Sequence, residues 1–381
     1  MATGAARTTG ITLMQSARRW LLPLVWVLAI CGVAFGASDG RGFVGFATTQ
    51  GPLEERLLDD ADRGRLSGFS PLGAALVASG VRDADALDHY QRKAARLARA
   101  LRDSRVLALP PRERVEAIFD FMHREVLHFY SLADTDVRHV LDDGRFNCIS
   151  ASVLFNYLAG EMGLECRGLE MPGHAMSRVL LPEGSMDVET TCPSWFRSGG
   201  ARSAGRTAEA APAYAARPNV PPIDRSKIRE VTPLQMAAMI YYNRGVDLLA
   251  ARRFAEAADA NAKAVRLDRA NATAWGNLLA TINNWSIELG DRQRFAEAVD
   301  LLRRGLAIKA DFAAFSQNYV HVHRQWVDKF CREGRFEEAM ALVSRAEAEL
   351  PGQEPLRQVE REIRDRRAKA LAAPSQAGRS F

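Results

Sequence analysis

Three stretches decide how this chain folds: Gly144-Arg145-Phe146-Asn147-Cys148-Ile149-Ser150-Ala151-Ser152, Pro172-Gly173-His174-Ala175-Met176 and Met186-Asp187-Val188-Glu189-Thr190-Thr191. A loop from Ser131 to Phe146 leads into the first, and a helix then runs to about Met162 with a stop at Gly163. Cys148 therefore stands at a helix N-terminus, where the dipole and unpaired N–H groups favour a thiolate over a thiol. Strand-like runs follow from Glu165 to Met171, His174 to Leu181 and Met186 to Thr190. Pro172-Gly173 and Pro182-Glu183-Gly184-Ser185 separate them with turn chemistry. His174 heads its strand, where an imidazole can take a thiol proton.

Hairpin parity selects the third group. With an even loop, opposite positions on the last two strands sum to an odd number, so His174 shares its face with Asp187, Glu189 and Thr191. Any plausible centre of the turn leaves Glu189 nearer to His174 than Asp187 is, by two residues or roughly 7 Å. Glu189 is the preferred orienting acid and Asp187 the alternative.

In this order and spacing, Asn147-Cys148-Ile149-Ser150, Gly173-His174-Ala175 and Val188-Glu189-Thr190-Thr191 resemble the transglutaminase-like superfamily. The closer resemblance is to its bacterial branch in which that domain precedes TPR repeats. The resemblance implies an α+β, papain-like fold for residues 109–196, behind a helical N-terminal part at 38–108. It implies Cys148 as nucleophile, His174 as base and Glu189 as orienting acid, with no cofactor or metal. The superfamily usually has Asp before Pro-Thr where this chain has Glu189. Asn147, or the backbone N–H of Cys148, is a candidate oxyanion donor.

Further along, Arg253-Phe254-Ala255-Glu256-Ala257, Arg294-Phe295-Ala296-Glu297-Ala298 and Arg335-Phe336-Glu337-Glu338-Ala339 recur every 41 residues. Such a period predicts an all-α solenoid over 229–372. Tyr241, Gly245, Phe254, Ala257 and Ala264 resemble one TPR unit; the next two units are longer, the second by seven residues. Between domain and solenoid, residues 197–228 are rich in Gly, Ala, Ser, Arg and Pro and read as a linker; residues 373–381 read as a frayed tail.

At the other end, Arg7, Arg18 and Arg19 precede an apolar run from Trp20 to Phe35. Residues 1–37 read as a signal peptide or a membrane anchor, and both place the remainder in a cell envelope. Helical periodicity is expected from Ala84 to Leu107 and from Pro111 to Leu127. His123 and His128, five apart, do not share a helix face and are not a metal pair.

Composition limits the partners. The net charge is +5, carried by Arg with only six Lys, and no basic cluster interleaves with aromatics; nucleic-acid binding is not expected. The five cysteines, at 31, 148, 166, 192 and 331, show no metal-ligand spacing. Cys166, Cys192 and Cys331 read as small buried thiols, with a Cys166–Cys192 bridge left open. The expected activity is thiol-dependent peptide or amide hydrolysis, or acyl transfer, on a peptide or protein substrate, with a protein partner on the repeats. The rival reading is a non-catalytic peptide-binding scaffold.

Overall fold

The computed structural model describes residues 41–197 and 228–372. The expected leader, most of the expected linker and the tail lie outside them.

Helices open the described chain. α1 (Pro52–Asp62) begins on proline, whose fixed φ and missing N–H suit a first turn. α2 (Pro71–Ala78) is capped by Ser70, which accepts from the Gly73 N–H. α3 (Ala84–Asp103) is capped by Asp83. It stops short of the expected Leu107 because Arg105 takes a left-handed conformation, φ 62°, which no helix continues. α4 (Pro111–Glu125) follows, then β1 (Phe129–Tyr130), α5 (Val137–Asp143), β2 (Arg145–Phe146) and α6 (Cys148–Glu161).

The sheet comprises β3 (Glu165–Met171), β4 (His174–Leu181), β5 (Gly184–Val188) and β6 (Arg229–Val231), antiparallel in the order β5-β4-β3-β6. Two features differ from expectation. The β4–β5 turn holds only Pro182 and Glu183, so β5 starts two residues early. It also ends at Val188, because Glu189 bends back to accept from the Thr191 N–H at 2.9 Å. The register still has the expected parity: Ser177 pairs with Val188 and Arg178 with Asp187. Secondly, Arg229–Val231, expected to open the repeats, supplies the fourth strand instead.

Thr232 then caps α7 (Pro233–Ala250) through a capping box with Gln235, and α7 crosses the sheet at Gly168. A Cβ there would lie 2.7 Å from Met236 Sδ and from Val231 Cγ2. The helices α8 (Phe254–Leu267), α9 (Ala272–Asp291), α10 (Phe295–Ile308), α11 (Ala313–Arg332), α12 (Phe336–Glu349) and α13 (Glu354–Ala372) continue the chain, each packing on the one before. α9 runs sixteen residues beyond Trp275 to Asp291, where α7 runs nine beyond Tyr241 to Ala250, which accounts for the seven extra residues of the second unit.

The 41-residue recurrence has a local cause. Arg253, Arg294 and Arg335 each sit just ahead of a helix, beside a glutamate in its first turn (Glu256, Glu297 and Glu338, 2.5–2.6 Å). The preceding residues, Arg252, Gln293 and Gly334, all have positive φ. Ala257, Ala298 and Ala339 are fully buried where paired helices approach closely.

Two cores form. One packs α3, α4, α6 and strands β3 to β5. The other runs from α1 and α2 through Cys148, Ile149 and Ala175 into the solenoid. Polar nodes join the parts. Glu170 on β3 accepts from Tyr242 (3.0 Å) and Asn271 (2.8 Å) and pairs with Arg229, which also binds Asp268 at 2.5 Å. Buried Lys263 binds Glu54 (3.0 Å) and Asp259 (2.7 Å). Close packing within the solenoid is testable at Gly245, where a Cβ would fall 2.3 Å from Asn261 Oδ1. Gly245→Ala is expected to lower stability by about 1–3 kcal/mol, read as an earlier urea-unfolding midpoint; an unchanged midpoint would show that α7 and α8 can separate freely.

Candidate active site

β1 and β2 run parallel, Phe129 beside Arg145 and Tyr130 beside Phe146, and deliver the chain directly to Cys148. Gly144 makes the entry at φ 74°, and its carbonyl accepts from His128 (2.9 Å) and Phe129 (3.1 Å).

Asn147 is the N-cap of α6. Its Oδ1 accepts from the N–H groups of Ile149 (2.9 Å) and Ser150 (3.1 Å), and Ser150 Oγ accepts from its backbone N–H at 3.0 Å. Both amide hydrogens are also committed, to the Leu132 carbonyl (3.2 Å) and Thr135 Oγ1 (2.6 Å). Asn147 thus has no hydrogen left for an oxyanion, unlike the sequence-level candidate role. Of the first three N–H groups of α6, only that of Cys148 is not taken by the Asn147 cap.

Cys148, His174 and Glu189 meet below the surface, 7%, 5% and 2% exposed. His174 hydrogen-bonds the Cys148 thiol, and its Nε2 bonds Glu189 Oε2. The other carboxylate oxygen accepts from the Thr191 N–H and, at 2.6 Å, from Thr191 Oγ1. Both oxygens of the acid are therefore held, and the longer arm of Glu in place of Asp is not loose. Burial pulls the His174 pKa down, but the Glu189 charge and the bonds to Cys148 and Glu189 outweigh it and push it up to about 10. Burial raises the Glu189 pKa; the His174 charge and the bonds from His174 and Thr191 more than reverse this and hold it below its ordinary value. The buried pair is accordingly ionic at neutral pH.

Asp187, the alternative acid, is turned elsewhere. It lies opposite Arg178 and pairs with it at 2.6 and 3.0 Å.

Other residues complete the surroundings without having been singled out in the sequence. Tyr242 of α7 is buried in the same core cluster as Cys148, so the solenoid's first helix packs beside the site. Asn243 donates to Thr135 at 3.2 Å, and Ser152 Oγ bonds Thr190 Oγ1 at 3.0 Å. The adjacent pair Tyr241-Tyr242 was the available signal, but only Tyr241 fits a repeat position.

His123 is half-buried, and that burial keeps its pKa below the ordinary value; His128 is exposed. Cys166 and Cys192 are not bridged, and Cys331 is also free. Burial pushes the Cys166 thiol up to about 12, which makes it a poor nucleophile. Among the described residues, no cluster of three or more His, Cys, Asp or Glu could hold a metal ion, and no helix is long and apolar enough to cross a membrane.

Residues 88–192 match the family described as the transglutaminase-like superfamily. The match begins within α3, ahead of the start expected at residue 109. It ends at Cys192, just past Glu189 and Thr191. No curated protein and no solved structure matches the chain.

Proposed function

We propose that this protein is a thiol enzyme that cleaves or transfers the acyl group of a peptide or amide, with Cys148 as nucleophile. The observation that carries the reading is the buried relay in which Glu189, fixed by Thr191, holds His174 against the Cys148 thiol. With its Nε2–H directed at Glu189, the ring holds on Nδ1 the proton that the Cys148 thiol gives up, so that thiolate and imidazolium stand side by side. The resulting thiolate attacks the substrate carbonyl, and the Cys148 N–H faces the oxygen that gains charge. His174 then protonates the leaving amine, and water or a second amine resolves the thioester.

The further expectations belong to the same proposal. The Arg-flanked apolar run from Trp20 to Phe35 supports an envelope location. The tandem helices α7 to α13 support docking of a protein partner in the manner of a TPR array. The deep burial of Cys148 favours, as a second reading, a peptide-binding scaffold with no turnover.

Alkylation by iodoacetamide separates the two readings. In the full-length protein, Cys148 is expected to react faster than Cys166, Cys192 and Cys331, mapped by mass spectrometry, and to slow in His174→Ala. A Cys148 no faster than an unstructured cysteine, and indifferent to His174→Ala, would leave only the scaffold.

A further inference from the structure

Exposed large apolar side chains are few among the described residues, and two of the three most exposed stand together. Phe129 is 66% exposed and Leu132 77%; the rest, Val44, Leu107, Leu180 and Leu371, are scattered along the chain. The stretch carrying Phe129 and Leu132 abuts the nucleophile. Phe129 pairs with Arg145 on β2, three residues before Cys148, and the Leu132 carbonyl accepts from the Asn147 side chain.

This stretch is also rigid. Asp134 N–H closes a turn onto the Ser131 carbonyl at 3.1 Å, and Ser131 N–H donates to Phe146 at 2.9 Å. The Asp134 carbonyl accepts from Ser150 Oγ at 2.8 Å, and Thr135 is held from two sides by Asn147 and Asn243. An apolar turn so firmly tied keeps its side chains in water at a standing cost, which contact with an apolar ligand would relieve. Rigidity in advance lowers the ordering cost of that contact.

We infer that Phe129 and Leu132 form the specificity subsite of this enzyme and receive a large apolar side chain lying within one residue of the reacting carbonyl. The inference rests on Cys148 being the nucleophile proposed above. The occupant is the substrate peptide because the turn is hydrogen-bonded to the cap of the nucleophile's own helix. Contact there is therefore contact beside the reacting bond. Phe129 and Leu132 act in binding alone and exchange no proton.

Two peptidyl chloromethyl ketones, acetyl-Leu-Phe and acetyl-Ala-Ala, test this on the full-length protein, each labelling rate at Cys148 being divided by the iodoacetamide rate of the same variant. The Leu-Phe probe is expected to be favoured by about tenfold or more, the range that burying apolar side chains supplies. In the Phe129→Ser, Leu132→Ser double variant the preference is expected to fall to the ratio that free cysteine shows. Both positions are exposed, so the double variant should fold. A preference that survives in the double variant, or is absent from the wild type while iodoacetamide still labels Cys148, overturns the subsite and leaves the nucleophile standing. A Cys148 that reacts with none of the three reagents overturns both.

Discussion

Glu189→Gln is expected to slow acylation of Cys148 by a peptide substrate by about ten-thousand-fold, the scale seen when an orienting acid becomes its amide, with the fold retained. The reason is directional. Thr191 offers a backbone N–H that can only donate, so the amide oxygen of Gln must stay on that side. Its NH2 group is then aimed at His174 Nε2, which can only answer as an acceptor. The ring must carry its proton on Nδ1, facing the thiol, and can no longer receive one. The same substitution removes a pH-dependent contribution to stability. His174 is raised from 6.5 to about 10, so its contribution is complete below 6.5 and is lost as pH rises through about 10. Glu189 is lowered from 4.5, so its contribution is present above 4.5 and is lost on acidification. The stability gap between wild type and Glu189→Gln should therefore be widest between pH 4.5 and 6.5 and close towards pH 10. Urea midpoints across that range read the gap, and stopped-flow acylation reads the rate. An unaltered acylation rate would remove Glu189 from the mechanism.

Gly144→Ala is expected to destabilise the protein by about 2–5 kcal/mol. A non-glycine residue held at φ 74° costs about 1–2 kcal/mol. The added Cβ would also lie 2.4 Å from the Val126 carbonyl oxygen, and moving packed backbone aside costs about 1–3 kcal/mol. Because β2 runs from Gly144 straight to Cys148, the variant should also lose the selective alkylation of that cysteine. A denaturation midpoint equal to wild type would show that the α5–β2 turn has an alternative conformation.

Cys148, His174 and Glu189 were legible because each rests on a local pattern: a helix start, a Pro-Gly turn and a strand alternation that survives small errors in the turn. Glu189 stayed on the right side although β5 was misplaced by two residues, since parity and not position fixes the face. Asp187 could be set aside fully only once Arg178 was seen opposite it. The role of Asn147 was not legible, because its amide hydrogens go to Leu132 and Thr135, whose places depend on a loop without periodicity. Strand β6 escaped for a related reason. Three residues carry no strand signal of their own, and Arg229–Val231 becomes a strand only by meeting Gly168 to Glu170, far back in the chain. Tyr242 and Glu170 are joined only by the packing of solenoid on sheet.

That late strand also sets an order of events. A ribosome producing this chain releases β3, β4 and β5 well before β6, so the nascent sheet waits with one side of β3 unpaired. An open edge of this kind invites pairing with another molecule. A fragment cut at Cys192 would keep Cys148, His174 and Glu189 and would hold the sheet permanently in that unfinished state, with Glu170 deprived of Arg229. The smallest self-sufficient piece of this protein therefore extends into α7, and attempts to express the part around Cys148, His174 and Glu189 should yield soluble material only when the first solenoid hairpin is included.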